Sequence, residues 1–291
     1  MVDMLDSTDV AVDTGRRGKT KGARGVRGQV ITITSGKGGV GKTTATANLG
    51  AALADLGKSV VLIDADIGLR NLDIVLGLEN RIVFDLVDVV EGKCRLRQAM
   101  IRDKRLPNLH LIPAAQTREK ESVSPQQMAR VCDDLRSQFD FVLIDSPAGI
   151  EQGFRNSIAG ADEVIVVTNP EVSSVRDADR IIGLVEAAEL PIPRLVLNRI
   201  DPELVRRGDM LSLDDVADIL AIPILGIVPL DETIVSSTNR GEPAALDRTS
   251  RAGQGFRNIA RRLTGEDVPL MDIDVQDGAF KRMLRAFGLG K

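Results

Sequence analysis

The chain has 291 residues, of which 43% are hydrophobic and 27% are charged, a composition typical of a soluble globular protein with a full core. Its formal net charge of -4 disfavours general binding to nucleic acid, and no apolar run is long enough to cross a bilayer as a helix. Because Trp and Tyr are absent, stacking platforms for single-stranded nucleic acid are also not expected.

The first part of the chain contains few large apolar side chains. An acidic stretch is followed by the basic stretch GRRGKTKGARGVRG. Such a segment cannot bury a core, so we expect residues 1–28 to be a disordered N-terminal extension. Two roles stay open for it: a solvated tail, or an auxiliary contact with anionic lipid or another polyanion. It lacks the apolar segment of a secretory signal, and its aspartates argue against a transit peptide.

From Val30 onward, short apolar runs alternate with stretches of helical period. The runs are rich in Val and Ile and have no polar alternation, which is typical of parallel strands buried on both faces. This alternation predicts an α/β fold: a mostly parallel twisted sheet with helices on both faces and right-handed crossovers. Strands are expected at 30–34, 59–64, 109–114, 141–145, 164–168, 194–198 and 224–229, and helices at 42–56, 126–138, 174–188 and 213–220.

A glycine-rich loop follows the first predicted strand and opens the first predicted helix. It fits the P-loop pattern G-x-x-x-x-G-K-[ST] in the context that this pattern requires. Glycines let backbone N–H groups surround phosphate oxygens, and the helix N-terminus adds partial positive charge. Lys42 would reach the β- and γ-phosphates, and the Thr43 hydroxyl would bind Mg²⁺. The predicted nucleotide-binding residues are Gly36, Lys37, Gly38, Gly39, Val40, Gly41, Lys42, Thr43 and Thr44.

Carboxylates end two of the predicted strands. Asp145 ends FVLID and is our second predicted Mg²⁺ ligand, directly or through a water molecule. Asp64 and Asp66 follow VVLI, and phosphoryl transfer needs a group that orients the attacking water. We assign that role to Asp66 first and to Asp64 second, so the predicted catalytic residues are Lys42, Asp66 and, on the argument below, Lys37.

The loop holds a second lysine, Lys37, at a position where the P-loop pattern asks for nothing in particular. Two ammonium groups in one loop repel unless polyphosphate neutralises them. The spacing alone leaves two interpretations open: a solvent-exposed lysine at a tolerant position, or a lysine that reaches a nucleotide held by a second subunit.

The stretch KGGVGKTT resembles the deviant Walker A motif of the ParA/MinD family of ATPases. The resemblance extends to IDADIGLRNLD, DSPAGIE, TNPEVSSVRDADR and RGDMLSLDDV, and it covers the sequence from about residue 30 onward. It implies that ATP and Mg²⁺ are the cofactors and that the chain forms a homodimer with ATP. It also implies that Lys37 reaches the partner's phosphates, and that Asn198 reads the adenine base.

Within the family, these segments are most similar to the ATPases that determine the site of the division septum. This implies a peripheral protein of the cytoplasm and of the cytoplasmic face of the cell membrane, which recruits a MinC-like inhibitor. A MinE-like activator is left open. The helix VSSVRDADR is expected to be the partner surface, although such a charge run is also typical of a solvated face. The predicted partner residues are Arg176, Asp177, Asp179 and Arg180.

The last residues predict a basic amphipathic helix. We divide the chain into an ATPase domain at 29–269, an acidic linker at 270–278 and this helix at 279–291. Such a helix is typical of an element that binds anionic membrane lipid, and the alternative is a helix that docks on the core. Its apolar face consists of Phe280, Met283, Leu284 and Phe287, and its basic face of Lys281, Arg282 and Arg285.

Three other functions share some of these sequence features. A ParA-type DNA-segregation ATPase would need a basic DNA-binding face, against which the net acidity and the tail argue. A flagellar-placement ATPase would share both loop and tail. An iron–sulfur reductase would need cysteine ligands at a dimer interface, whereas Cys94 and Cys132 lie far apart and are expected to be free thiols.

Overall fold

The computed structural model describes residues 27–119 and 122–272. The predicted extension lies outside this range apart from Arg27 and Gly28, and so do the predicted membrane helix and most of the predicted linker. Gly28 already belongs to the fold, because its amide donates to the Arg136 carbonyl over 2.9 Å.

The described residues form an eight-stranded sheet in the order β3-β4-β2-β5-β1-β6-β7-β8. Every neighbouring pair is parallel except β3 and β4, so the predicted mostly parallel α/β sheet is confirmed. All seven predicted strands are present. The edge strand β3 was not predicted, because two residues are too few to give a periodic pattern. The strands are β1 (Gln29–Thr34), β2 (Val60–Asp64), β3 (Ile101–Arg102), β4 (Leu109–Ile112), β5 (Phe141–Asp145), β6 (Glu163–Thr168), β7 (Arg194–Ile200) and β8 (Ile224–Pro229).

Helices cover both faces of this sheet. Successive strand residues point to opposite faces, so Ile31 packs in one core cluster with Leu49 of the first helix while Val30 packs in another with Leu135. A third cluster covers β6 and β7. The helices of the described residues are α1 (Lys42–Asp55), α2 (Leu72–Leu76), α3 (Leu86–Val90), α4 (Leu96–Ala99), α5 (Pro125–Arg136), α6 (Gln152–Ile158), α7 (Val172–Ala187), α8 (Pro202–Arg207), α9 (Leu213–Leu220), α10 (Thr233–Asn239) and α11 (Arg251–Leu263).

Helix α1 lies close against the sheet because its residues are small. A Cβ added at Gly50 would lie 2.6 Å from a terminal methyl of Leu62, so a larger residue would require the Leu62 side chain on β2 to shift. The four predicted long helices correspond to α1, α5, α7 and α9. Among the described residues, no helix is both long and apolar enough to cross a membrane.

Parallel strands bring their carboxyl ends to the same edge of the sheet. The order β2-β5-β1 therefore places Asp64, Asp145 and the start of the glycine-rich loop side by side, with Asp64 directly opposite Asp145 in the strand register. Open α/β sheets bind ligands at this edge, so the fold alone directs attention to it.

Candidate nucleotide-binding site

The glycine-rich loop connects the end of β1 to the start of α1. Gly39 and Gly41 have φ values of 79° and 92°, in the left-handed region that glycine adopts without a steric cost. Gly36 is required for a different reason, since a Cβ there would lie 2.1 Å from the Asp177 carbonyl oxygen on α7. The sequence thus folds into a tight loop that is pressed against α7 at its first glycine.

Lys42 and Asp145 form a buried ion pair beneath the loop. The Lys42 Nζ donates to Asp145 Oδ1 over 2.8 Å, and their side chains are only 7% and 1% exposed. The Thr46 hydroxyl donates to the same oxygen over 3.1 Å. Sequence analysis missed Thr46, although its position one helical turn after Lys42 on α1 could have indicated it.

Asp64 lies next to this pair in a strongly perturbed environment. Burial, and then the charge of Asp145, raise the pKa of Asp64 to about 7, against the lowering effect of three backbone N–H donors. These donors are the amides of Asp66, Asn71 and Leu72, at 3.1 to 3.2 Å. When Asp64 is protonated, the buried group of Asp64, Asp145 and Lys42 carries no net charge.

An open cleft of ≈ 440 Å³ lies above the loop. Asp66 is half-buried and lines this cleft together with Lys42 and Thr43. The structure therefore brings together the predicted phosphate loop, the predicted Mg²⁺ hydroxyl and the carboxylate predicted to orient water. Asp145 lies below them, and its Oδ1 is held by Lys42.

A second cavity of ≈ 210 Å³ adjoins the loop and is lined mainly by apolar and small side chains. Asn198, at the end of β7, lies between this cavity and the loop, and its amide donates to the Val40 carbonyl over 2.8 Å. Phe256 forms part of the floor. The shape suits a flat aromatic base beside the phosphate loop, which is where the resemblance places the adenine.

Two further residues, which the sequence did not indicate, lie beside the loop and its cavities. The side-chain amide of Asn169, after β6, faces the Val40 and Asn198 carbonyl oxygens, and assigning its nitrogen to that side lets it donate to both over 3.2 Å. Arg199 adopts a left-handed φ of 56° and lines both cavities. No spacing rule points to either residue, because their proximity to the loop follows from the order of strands in the sheet.

Lys37 lies apart from Lys42, on the outer side of the loop. Its Nζ donates to the Ser173 hydroxyl over 3.1 Å and lies 3.5 Å from Glu171, both at the start of α7. Lys37 and Glu171 are 42% and 52% exposed, so this contact is a weak surface one. A lysine held so loosely is free to exchange this contact for a stronger anionic ligand.

The predicted partner residues lie together on α7, on the turns that follow Lys37's contacts. Arg176, Asp179 and Arg180 are exposed, and Asp177 is half-buried. Asp177 pairs with Arg180 over 3.4 Å and its backbone carbonyl faces Gly36. Helix α7 thus connects an exposed charged surface with the nucleotide loop.

The residues around the loop fit a magnesium nucleotide. The cleft is open above backbone N–H groups and the α1 N-terminus, and the Thr43 hydroxyl lines it, while the Asp145 carboxylate is buried against Lys42. Mg²⁺ needs few protein ligands, since substrate phosphates and water supply most of its six positions. Cys94 and Cys132 are both free thiols, as expected.

A loop built in this way at the carboxyl edge of a parallel sheet holds phosphate in P-loop NTPases, and the fold and the site place this protein in that class. Residues 31–244 match the family model described as the CobQ/CobB/MinD/ParA nucleotide binding domain. The septum site-determining protein MinD of Bacillus subtilis is 54% identical over 262 residues, which cover 89% of this chain and 98% of that protein.

Solved structures of MinD proteins are also similar to this chain. MinD in the MinC:MinD cell division protein complex of Aquifex aeolicus is 50% identical with a TM-score of 0.79, covering 84% of this chain and 98% of that one. MinD complexed with Mg-ADP from Pyrococcus horikoshii is 32% identical with a TM-score of 0.74, covering 81% and 95%. The chain therefore belongs to the MinD family of septum site-determining proteins, within the MinD/ParA nucleotide-binding class.

Proposed function

We propose that this protein is a Mg²⁺-dependent ATPase that dimerises when it holds ATP, docks on the cytoplasmic face of the cell membrane and places the division septum by recruiting a MinC-like inhibitor. The observation that carries the proposal is the separation of the two loop lysines. Lys42 is buried against Asp145 under the phosphate cleft, whereas Lys37 is exposed on the outer face of the loop.

Lys42 changes its partner when nucleotide binds. Its ammonium group leaves Asp145 for the β- and γ-phosphates, which carry more negative charge than one carboxylate. Asp145 is then left buried without its counter-ion, a costly state that favours a cation at the same place. Mg²⁺, held by Thr43 and by Asp145 directly or through water, would neutralise charge on the phosphate oxygens.

Lys37 acts in the second subunit of the dimer. Its contacts with Glu171 and Ser173 are weak and exposed, so they are readily exchanged for the phosphates held by a partner. Asp66, on the wall of the cleft, orients the water that attacks the γ-phosphate. Asn198 and the adjoining cavity hold the adenine base.

Partner recruitment is assigned to α7. A MinD relative of known structure is complexed with MinC, and the exposed charges of α7 begin directly after the segment that Lys37 contacts. When Lys37 leaves this segment in the dimer, the surface presented by Arg176, Asp179 and Arg180 changes with it. A MinE-like activator would be expected to bind at or near the same face.

The test is the oligomeric state with different nucleotides. The native chain should elute from size-exclusion chromatography as a monomer with ADP and as a dimer with ATP and Mg²⁺. Asp66→Ala should accumulate as the ATP dimer with little release of phosphate, because binding is retained and the water is not oriented. A native chain that stays monomeric in saturating ATP would refute the proposal, and unchanged phosphate release by Asp66→Ala would move that role to Asp64.

A further inference from the structure

An apolar groove of ≈ 410 Å³ lies on the face of the molecule away from the nucleotide. It runs between the C-terminal halves of α6 and α7, near the amino-terminal edge of the sheet. Phe154 and Ile158, which belong to the core cluster under β6 and β7, form its floor. Leu184 and Leu190 are only partly buried at its sides. The remaining lining residues are Arg155, Ala159, Ala187 and Ala188.

The end of the described chain packs against the same core cluster that forms the floor of this groove. Arg262 holds the segment after α11, donating to the Val268 and Pro269 carbonyl oxygens over 2.8 and 2.5 Å. Met271 then packs against the same core cluster as Leu184 and Leu190. The chain therefore passes out of the described range beside the cluster on which the groove is built.

The sequence beyond this point has an apolar pattern that suits the groove, preceded by a segment that can act as a tether. The seven residues 273–279 span up to roughly 25 Å when extended, at about 3.3–3.6 Å per residue. They are followed by Phe280, Met283, Leu284 and Phe287, at the spacing of one apolar helical face. Four large apolar side chains match a groove whose floor and sides are apolar.

Arg155 adds a positive charge to the lining of the groove, but the groups at the ends of its two helices are negative. Helices α6 and α7 both end at the groove, so the negative ends of two helix dipoles converge there. Glu186 and Glu189 are exposed at the end of α7, and neither forms an ion pair with another residue that the structure describes. Lys281, Arg282 and Arg285 would lie on the outer face of a docked helix, where these charges attract them over a short range.

We propose that residues 280–287 dock into the α6–α7 groove of their own chain whenever they are not on the membrane. The inference rests on the proposed function, because the groove and the bilayer compete for the same apolar face. Membrane binding then requires undocking first, so the apparent affinity of a monomer for lipid is reduced by the fraction of chains that are undocked. The groove thereby keeps the apolar segment out of water in the ADP state.

Fluorescence of a single tryptophan tests the docking directly. Because the chain contains no Trp and no Tyr, Phe287→Trp introduces the only indole and leaves no background. In the full chain with ADP and without lipid, its emission should be blue-shifted and protected from acrylamide. The same result across a hundredfold dilution assigns the contact to one chain, whereas loss of the shift on dilution would show docking on a second copy and overturn the intramolecular assignment.

A groove variant and a matched control locate the site. Ala187→Lys, at an exposed groove position, adds bulk and positive charge without removing a core side chain, and should shift the emission to that of a solvated indole. Ile219→Lys places the same side chain on an exposed position of α9 outside the groove and should leave the emission unchanged. Equal emission for the two variants would reject this groove.

Vesicles of anionic phospholipid separate this inference from the proposed function. With ADP, Ala187→Lys should bind them about tenfold more tightly than the native chain, the factor expected if the docked state is roughly 90% populated. An indole that is solvated without lipid and buried with lipid would refute docking but keep the membrane role. An indole that no vesicle affects would refute the membrane role itself.

Discussion

The two lysines of the nucleotide loop lie in different dielectric environments. The Lys42–Asp145 pair is almost completely buried, whereas Lys37 and Glu171 are largely in solvent. Removing one partner of a buried ion pair leaves an uncompensated charge in the interior, while an exposed pair contributes little. Lys42 should therefore contribute much more than Lys37 both to the stability of the fold and to the binding of nucleotide within one subunit.

We predict that Lys42→Met lowers the free energy of unfolding by about 3–5 kcal/mol and abolishes ATP binding. Lys37→Ala should change the free energy of unfolding by less than about 1 kcal/mol and keep ATP binding, but fail to dimerise. Urea unfolding measures the free energy of unfolding of each variant, and a titration with a fluorescent ATP analogue measures its affinity for ATP. The double variant Lys42→Met/Asp145→Asn should recover much of the stability without recovering binding. Normal affinity in Lys42→Met would contradict the assigned role.

Asp64 should make the stability of the fold depend on pH. Its pKa in the folded chain is raised from 3.8 to about 7, so between these values the folded state holds a proton that the unfolded state has released. The contribution of Asp64 to the free energy of unfolding therefore falls as the pH rises from 3.8 to about 7. Asp64→Asn should remove this slope.

The measurement is urea unfolding of both chains between pH 5 and pH 8, expressed as the difference in unfolding free energy. Native stability should decline relative to Asp64→Asn as the pH rises. His110, whose pKa is lowered by burial and then by Arg102, is present in both chains, so its effect cancels. Two parallel curves would mean that Asp64 is ionised throughout this range.

At the scale of elements, α7 is the part of the molecule that touches both the nucleotide loop and the surface. Lys37 donates to Ser173 in its first turn, and the Asp177 carbonyl leaves no room for a side chain at Gly36. The loop cannot change shape at Gly36 without α7 responding, whereas the exposed Lys37 contact is readily exchanged. The packing at Gly36 therefore couples the shape of the nucleotide loop to the position of α7 and of its exposed charges.

Gly36→Ala tests this packing, with Gly38→Ala as its control. A Cβ at Gly36 would lie 2.1 Å from the Asp177 carbonyl oxygen, whereas a Cβ at Gly38 would meet nothing within 4 Å. We expect Gly36→Ala to lose about 1–3 kcal/mol of unfolding free energy through overpacking, and Gly38→Ala to be near neutral. Denaturant unfolding without nucleotide is the measurement. Equal stability of the two variants would show that α7 gives way freely.

Elements with strong local patterns were predictable, and contacts made by topology were not. The seven apolar runs predicted buried strands because each run corresponds to a single strand. The nucleotide loop was predicted from the spacing of its glycines and lysine. Arg105 gave no such signal. Its guanidinium donates to the carbonyls of Leu76 and Gly241 over 2.8 and 2.7 Å, joining α2 to the turn after α10. Such contacts depend on strand order, which no local pattern encodes.

At the scale of the whole molecule, the nucleotide cleft and the end of the described chain lie at opposite edges of the sheet. The cleft lies at the carboxyl edge of the sheet, while the chain leaves the described range at Asp272, beyond α11 and near the opposite edge. Burying four large apolar side chains is worth at most ~6–10 kcal/mol. Ordering a short helix offsets much of this gain. Under the proposed function, one tail would therefore bind lipid weakly, and two tails on one ATP-held dimer would gain by effective concentration, by ~100-fold or more.

The whole-molecule prediction is that Leu284→Glu abolishes membrane retention without affecting nucleotide. The substitution removes about 2–3 kcal/mol of gross burial per tail. It also adds a negative charge that anionic lipid repels. Because a dimer carries two tails, the loss counts twice, so pelleting with anionic vesicles should collapse in ATP while ATP binding and dimerisation persist. The control is the native chain in ADP, which should pellet far less than in ATP. Equal pelleting of the native chain in both nucleotides would refute the dimer switch, and normal pelleting of Leu284→Glu would refute the tail as the anchor.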